Sequence, residues 1–171
     1  VYNFLSQYGL YSSGYMFDEK HTNQNDFINE IFRLKEKHDF NTILISMYWL
    51  DIKNKKHLIY QKFGFTIVTA GNRSDPFFLS RLKDLIYLCD MTISNDLGTH
   101  VGYCICLNKP HYIYRQYIKI NDKIKKVTDN FDSLFYTTYF KEIELFLNLF
   151  SSDELRISNE QKSIVKYYWG N

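Results

Sequence analysis

Apolar runs too short to be helices alternate along this chain with longer stretches of helical periodicity, and that alternation constrains the fold more than any other feature. Residues 1–5 read as a first strand. Residues 25–38 set Phe27, Ile28, Ile31, Phe32 and Leu34 between charged neighbours, the spacing of an amphipathic helix. The run 42–49 is continuously apolar, as a strand covered on both faces must be. Residues 53–63 return to helical spacing through Leu58, Ile59 and Phe63, with Gly64 as a C-cap. Another buried strand follows at 65–70. Asp75 and Pro76 then open a helix to residue 88, one as its cap and the other at its first position. A strand at 91–94, a helix at 98–107 and a strand at 111–114 complete the pattern.

Such alternation predicts an α/β fold, a Rossmann-like parallel sheet with helices on both faces. Right-handed crossovers bring every strand-to-helix loop to one sheet edge, where ligands bind. Those loops follow Leu5, Trp49, Ala70 and Ser94. Past residue 116 the pattern changes. A polar connector spans 117–130 and an apolar helical stretch spans 131–150. Ser158 and Gln161 form a capping box for a last helix that ends at Trp169 and Gly170. The expected organisation is a Rossmann-like core over 1–116, with a C-terminal helical extension over 117–171 packed on the same domain.

With 171 residues, 45% of them hydrophobic, the chain can bury the core of one domain. A net charge of +2 leaves no electrostatic footprint for nucleic acid, and none is expected as a partner. Cys89, Cys104 and Cys106 are odd in number, lie in apolar stretches and lack metal-ligand spacing with any histidine. They read as free thiols in a reducing compartment. No apolar run approaches the roughly 18 residues of a membrane span, and no signal peptide is expected. A cytoplasmic location is expected, at the inner face of the membrane where partners bring it there.

The loop after strand 91–94 concentrates the chemistry. Ser94, Asn95, Gly98, Thr99 and His100 stand at the start of a helix. There the first N–H groups have no internal partner and the dipole is positive, while glycine lets a ligand approach the backbone. Phosphate is the usual occupant of such a place. The same residues also describe an ordinary capped helix. One unit upstream, Gly71 and Arg73 sit on the same edge, with Arg73 suited to a bidentate phosphate contact and Asp75 to capping. The loop from Ser6 to Gly14 carries two glycines but matches neither G-x-G-x-x-G nor G-x-x-x-x-G-K-[ST], which argues against an NAD site and a P-loop. Tyr48 and Trp49 suit stacking on a base or closing the core, and both roles stay open. No Ser-His-Asp order, G-x-S-x-G elbow or close carboxylate pair in a plausible context appears, so no catalytic residue is assigned.

Ser94-Asn-x-x-Gly-Thr-His, followed by Gly102-Tyr-x-x-x-Leu-Asn-Lys-Pro110, resembles the carboxy-terminal lobe of GT-B glycosyltransferases, particularly bacterial enzymes of surface polysaccharide synthesis. The likeness covers roughly residues 40 to 115, and the closing Glu160-Gln161 and Tyr167-Tyr168-Trp169-Gly170 extend it loosely. It implies a nucleotide-sugar donor whose phosphates meet Ser94, Asn95, Gly98, Thr99, His100, Gly71 and Arg73, with no metal and no other cofactor. It also implies a glycan acceptor. A full GT-B enzyme has two lobes, so an amino-terminal lobe or partner subunit is expected, and peripheral membrane contact and a homodimer stay open. The alternatives are a non-catalytic binding or assembly module, as in a split transferase, and a sugar-nucleotide epimerase-like lobe.

Overall fold

Strands β1 (Tyr2–Phe4), β2 (Leu44–Ser46), β3 (Thr66–Val68), β4 (Thr92–Ser94) and β5 (His111–Ile113) run parallel in one sheet, in the order β3-β2-β1-β4-β5. The computed structural model describes residues 2–4, 24–95, 97–115 and 133–170. Helices α1 (Gln24–Lys37), α2 (Trp49–Lys53), α3 (Leu58–Gln61), α4 (Phe78–Tyr87) and α5 (Thr99–Cys106) lie between the strands in sequence, and α6 (Ser133–Leu149) and α7 (Asn159–Trp169) follow them. The chain is α/β with parallel strands, as the alternation predicts. The stretch 6–24 reads in sequence as a long loop; its residues 6–23, including Ser6 to Gly14, and the connector 117–130 lie outside the described residues, and Gln24 already begins α1.

Successive residues of a strand point to opposite faces, and here they meet different helices. Ile45 and Ile93, each in register with Asn3 of β1 between them, pack with Phe27, Ile28, Ile31 and Leu34 of α1 and with Tyr60 of α3. Tyr112, in register with Ile93, packs against the same cluster. Ile113, one residue on, belongs to a separate cluster with Val101 and Ile105 of α5, Phe146 of α6, Phe150 and Val165 of α7. Ala70, Leu82 and Ile86 gather around Cys104 in a third cluster. The C-terminal helices therefore share a core with α5 and β5. Val101, Phe150 and Ile31 are fully buried.

Several helix ends follow one rule. After α1, α2, α3 and α5 the chain turns through a left-handed residue: Asp39 (φ 53°), Lys55 (φ 61°), Gly64 (φ 76°) and Asn108 (φ 56°). In each case the next N–H bonds back five residues and the turning residue's own N–H bonds back three, as in Asn108 N–H to Ile105 O and Lys109 N–H to Cys104 O. This is the Schellman arrangement, which satisfies carbonyls a helix would otherwise leave open. The Leu107-Asn-Lys-Pro110 end is thus a helix stop: Asn108 tolerates the left-handed turn and Pro110 cannot continue a helix. The capping box is present at α7, where Ser158 Oγ accepts from Gln161 N–H and Gln161 Oε1 accepts from Ser158 N–H. Gln161 also donates to the Leu149 carbonyl, which ties the α7 start to the α6 end.

Three expectations need correction in detail. The apolar run 42–49 is not all strand: β2 stops at Ser46, Met47 N–H makes one last bond to the Val68 carbonyl at 2.9 Å, and Tyr48 becomes the extended cap of α2, which begins at Trp49. The helix expected over 53–63 is reduced to Leu58–Gln61: α2 ends at Lys53, and the left-handed Lys55 separates the two. The helix expected from Pro76 begins at Phe78. Asp75 caps the turn before it, accepting from Phe77 N–H at 2.8 Å. That bond, together with Arg81 at 2.7 Å, holds the Asp75 carboxyl below its usual range.

The segment after α6 is tied to α1 by charge. Asp153 accepts from Arg33 (2.6 Å) and Lys37 (2.7 Å), Arg33 also grips Glu30, and His38 Nε2 lies 2.8 Å from the Asp153 carbonyl. Phe150 lends its carbonyl to Ile113 N–H at 2.7 Å, covering part of the outer edge of β5. Among the described residues, no helix is long and apolar enough to cross a membrane.

Candidate functional site

Because the strands are parallel, the loops leaving β2, β3 and β4 emerge at one edge of the sheet. The strand order decides which of them meet. The chain steps outward from β1 to β3, then crosses back to place β4 on the other side of β1. The order reverses between β1 and β4, the place where parallel α/β sheets usually bind ligands. The loop beginning at Asn95 leaves β4 beside that point and runs into α5.

Gly98 caps α5 in an extended conformation and brings no side chain to the helix start. Thr99 is exposed and Asn95 half-buried. Gly98 has a local reason to be glycine: a methyl group there would stand 2.8 Å from His100 Nδ1. His100 folds back beneath the loop and is buried, so its ring faces the interior and not the open edge. Ser94 is likewise fully buried, with its hydroxyl 3.0 Å from His111 Nε2. At Ser94 and His100 the polar atoms the sequence assigned to a ligand are committed inward. Thr99 is the side chain of this group that stands exposed.

Gly71 and Arg73 follow β3. Gly71 takes φ 87°, and a methyl there would lie 3.0 Å from Arg81 Nη2. Arg81, not Arg73, organises this loop, donating to the Ala70 carbonyl at 2.9 Å and to Asp75. Arg73 is exposed. With β2 and β1 between them, β3 and β4 are three strand spacings apart, about 14 Å. The strands that lead to Arg73 and to the α5 start are therefore not neighbours in the sheet.

Behind the α5 start lies a polar cluster the sequence reading did not single out. Thr92 Oγ1 donates to the Pro110 carbonyl (3.0 Å) and sits 2.7 Å from His111 Nδ1. Ser94 Oγ lies 3.0 Å from Nε2, so both ring nitrogens of His111 are held by hydroxyls of β4. His100 meets His111 edge-on at 5.3 Å between ring centres. Burial pushes the His100 pKa down to about 4. Burial, reinforced by His100, holds His111 well below its ordinary range. Cys104 beside them is pushed up to about 12 by burial, partly offset by the Thr92 hydroxyl, so it remains a thiol without nucleophilic character. The available signal was register: Thr92, Ser94 and His111 alternate with Ile93 and Tyr112, which puts the polar residues on one buried face.

Tyr48 and Trp49 stand at the end of β2 with ring centres 5.7 Å apart, and the Lys53 ammonium lies 6.0 Å from the Trp49 ring centre. Both aromatics are half-buried. Among the described residues, no group of three or more His, Cys, Asp or Glu side chains is arranged to hold a metal ion. Comparison with known protein families, with curated proteins and with solved structures finds no match to this chain.

Proposed function

We propose that this chain is a Rossmann-like lobe that binds a nucleotide-sugar, as the donor-binding half of a GT-B glycosyltransferase of bacterial surface glycan synthesis. One observation carries the proposal: α5 starts at the end of β4, where the strand order reverses, behind a cap residue with no side chain. An anion there gains from the helix dipole and the first-turn N–H groups. Thr99 adds a hydroxyl, and backbone at Asn95 and Gly98 completes the approach. Arg73 serves the far end of the same ligand. In a transferase these groups would neutralise charge that builds on the leaving phosphate. The acceptor, and the group that activates it, would come from a second lobe or a partner subunit, and the lobe itself is cytoplasmic.

Calorimetry with UDP, GDP and CMP tests this directly. At least one of the three is expected to bind, and Arg73→Ala is expected to weaken it about ten-fold, the usual worth of a charge-assisted hydrogen bond. If none of the three nucleotides binds, the proposal is dropped.

A second reading rests on the exposed apolar residues Phe77, Leu79, Tyr87 and Leu88, within and flanking α4. They suit an assembly module whose partner covers that helix. Sedimentation in the presence and absence of nucleotide separates the two: an assembly module associates without any.

A further inference from the structure

We propose that a second copy of this chain docks on the β3 edge of the sheet, its β3 pairing antiparallel with this one about a two-fold axis at Ile67. The two outer strands of the sheet, β5 and β3, are finished differently. At β5, Tyr114 N–H bonds to the Ser94 carbonyl and the Pro110 carbonyl accepts from Thr92 N–H, so the residues between them turn outward. Ile113 is one of these, and the Phe150 carbonyl takes its N–H at 2.7 Å. At β3, Thr66 N–H bonds to the Ile43 carbonyl at 3.2 Å, and the Val68 carbonyl accepts from Met47 N–H at 2.9 Å. Ile67 stands between them and therefore turns both its N–H and its carbonyl away from β2. Thr66 is exposed and Ile67 and Val68 are half-buried, whereas every residue of β4 is fully buried.

The chemistry of this edge suits a copy of itself. From Gly64 to Gly71 the chain carries no charge and no proline, the residues that ordinarily keep edge strands apart. Antiparallel strands alternate between residue pairs that exchange two hydrogen bonds and pairs that exchange none. With Ile67 on the axis, it faces Ile67 of the second copy as an exchanging pair, and the outward N–H and carbonyl of both are used. Thr66 then faces Val68 of the second copy as a non-exchanging pair, where side chains lie closest. Phe63 is 44% exposed and stacks on Phe65 with ring centres 6.2 Å apart, which sets apolar surface beside the start of the strand. A two-fold contact uses the same patch twice and closes at a dimer. It extends the sheet sideways, away from the strand ends that carry the candidate ligand loop.

The test uses no nucleotide, so it stands apart from the nucleotide-sugar reading. Sedimentation velocity from about 10 μM to about 1 mM is expected to show monomer passing to dimer, with a Kd on the order of 100 μM for so short a strand. Amide hydrogen exchange over the same range locates the contact. The Ile67 amide is expected to exchange freely at low concentration and to slow as the dimer forms, with the amides of β4 as the constant reference. Thr66→Lys puts a charge at the exposed position opposite Val68 and is expected to weaken association about ten-fold, because the substitution acts twice across the axis. Ile67→Pro removes the outward N–H, spares the bonds of Thr66 and Val68 to the β2 side, and is expected to abolish the dimer. A chain that stays monomeric at about 1 mM overturns the proposal. So does an Ile67 amide already protected in the dilute monomer, because another segment then covers the edge. A dimer that leaves the Ile67 amide unprotected, or that Thr66→Lys does not weaken, also overturns it and assigns association to another surface, such as α4.

Discussion

Ile93 lies between Thr92 and Ser94 on one strand, yet these neighbours face two kinds of interior. On the α1 side, Ile93 and Ile45 meet Phe27, Ile28, Ile31 and Leu34, and the described contacts are apolar. On the α5 side, Thr92, His111 and Ser94 are buried together and hydrogen-bonded in sequence, and the buried His100 ring packs edge-on against His111. Burial of apolar surface is non-directional and nearly indifferent to pH. A hydrogen-bonded polar cluster is directional, and it holds only in one protonation state. The difference assigns stability to one face and sensitivity to the other, and the sensitive face lies behind the candidate ligand loop.

The largest break in this comparison is on the apolar side. Phe27→Ala removes a ring that is 1% exposed, and is expected to cost about 3–5 kcal/mol, seen as a lower urea midpoint at unchanged slope. A loss below about 1 kcal/mol would mean that the α1 face is not the main store of stability. Acid probes the polar side. His100 has a folded pKa of about 4, below the 6.5 of the unfolded chain. The unfolded state therefore takes up the proton first, so stability is full above pH 6.5 and falls as pH drops toward 4. For His100 alone the fall is on the order of 3 kcal/mol, measurable by urea titrations at intervals of half a pH unit. Phe27→Ala should lower that curve without changing its shape.

Gly102→Ala tests how α7 is seated on the polar side. A methyl there would stand 2.5 Å from the Trp169 indole. The expected loss is about 2 kcal/mol in thermal unfolding, eased by adding Trp169→Leu. If Gly102→Ala is instead neutral or stabilising, as helix propensity alone would have it, the α5–α7 contact is looser than described. Smallest is Lys55→Gly at the left-handed end of α2. It should raise the melting temperature by an amount equivalent to at most about 1 kcal/mol, because glycine adopts φ 61° without strain. It lies away from both histidines in sequence and element, and should leave the acid curve unchanged.

Much of this architecture was legible locally. Phe27, Ile28, Ile31 and Leu34 announce the buried stripe of α1 because a helix repeats every 3.6 residues. Ser158 and Gln161 announce the α7 start, and Gly64 the α3 end, because caps act over three to five residues. Asp39, Lys55 and Asn108 make the same turn without glycine, and only the described backbone reveals them. Thr99 and Arg73 were read as lying on the ligand edge, and both are exposed. Ser94 and His100 were read the same way, but their side chains point into the molecule. Chain position told that they follow a strand, not which face they join.

The sequence by itself determined the alternation of strands and helices and the ends marked by Gly64 and by Ser158 with Gln161, since each depends on residues within a turn or two of one another. Only the tertiary structure decided the strand order, and with it the three strand spacings, roughly 14 Å, between β3 and β4. It alone closed the Thr92–His111–Ser94 chain, whose members come from strands 17 to 19 residues apart in sequence. Local periodicity carries no information about which strand becomes whose neighbour; that follows from how whole faces pack, and the character of the candidate site follows from it.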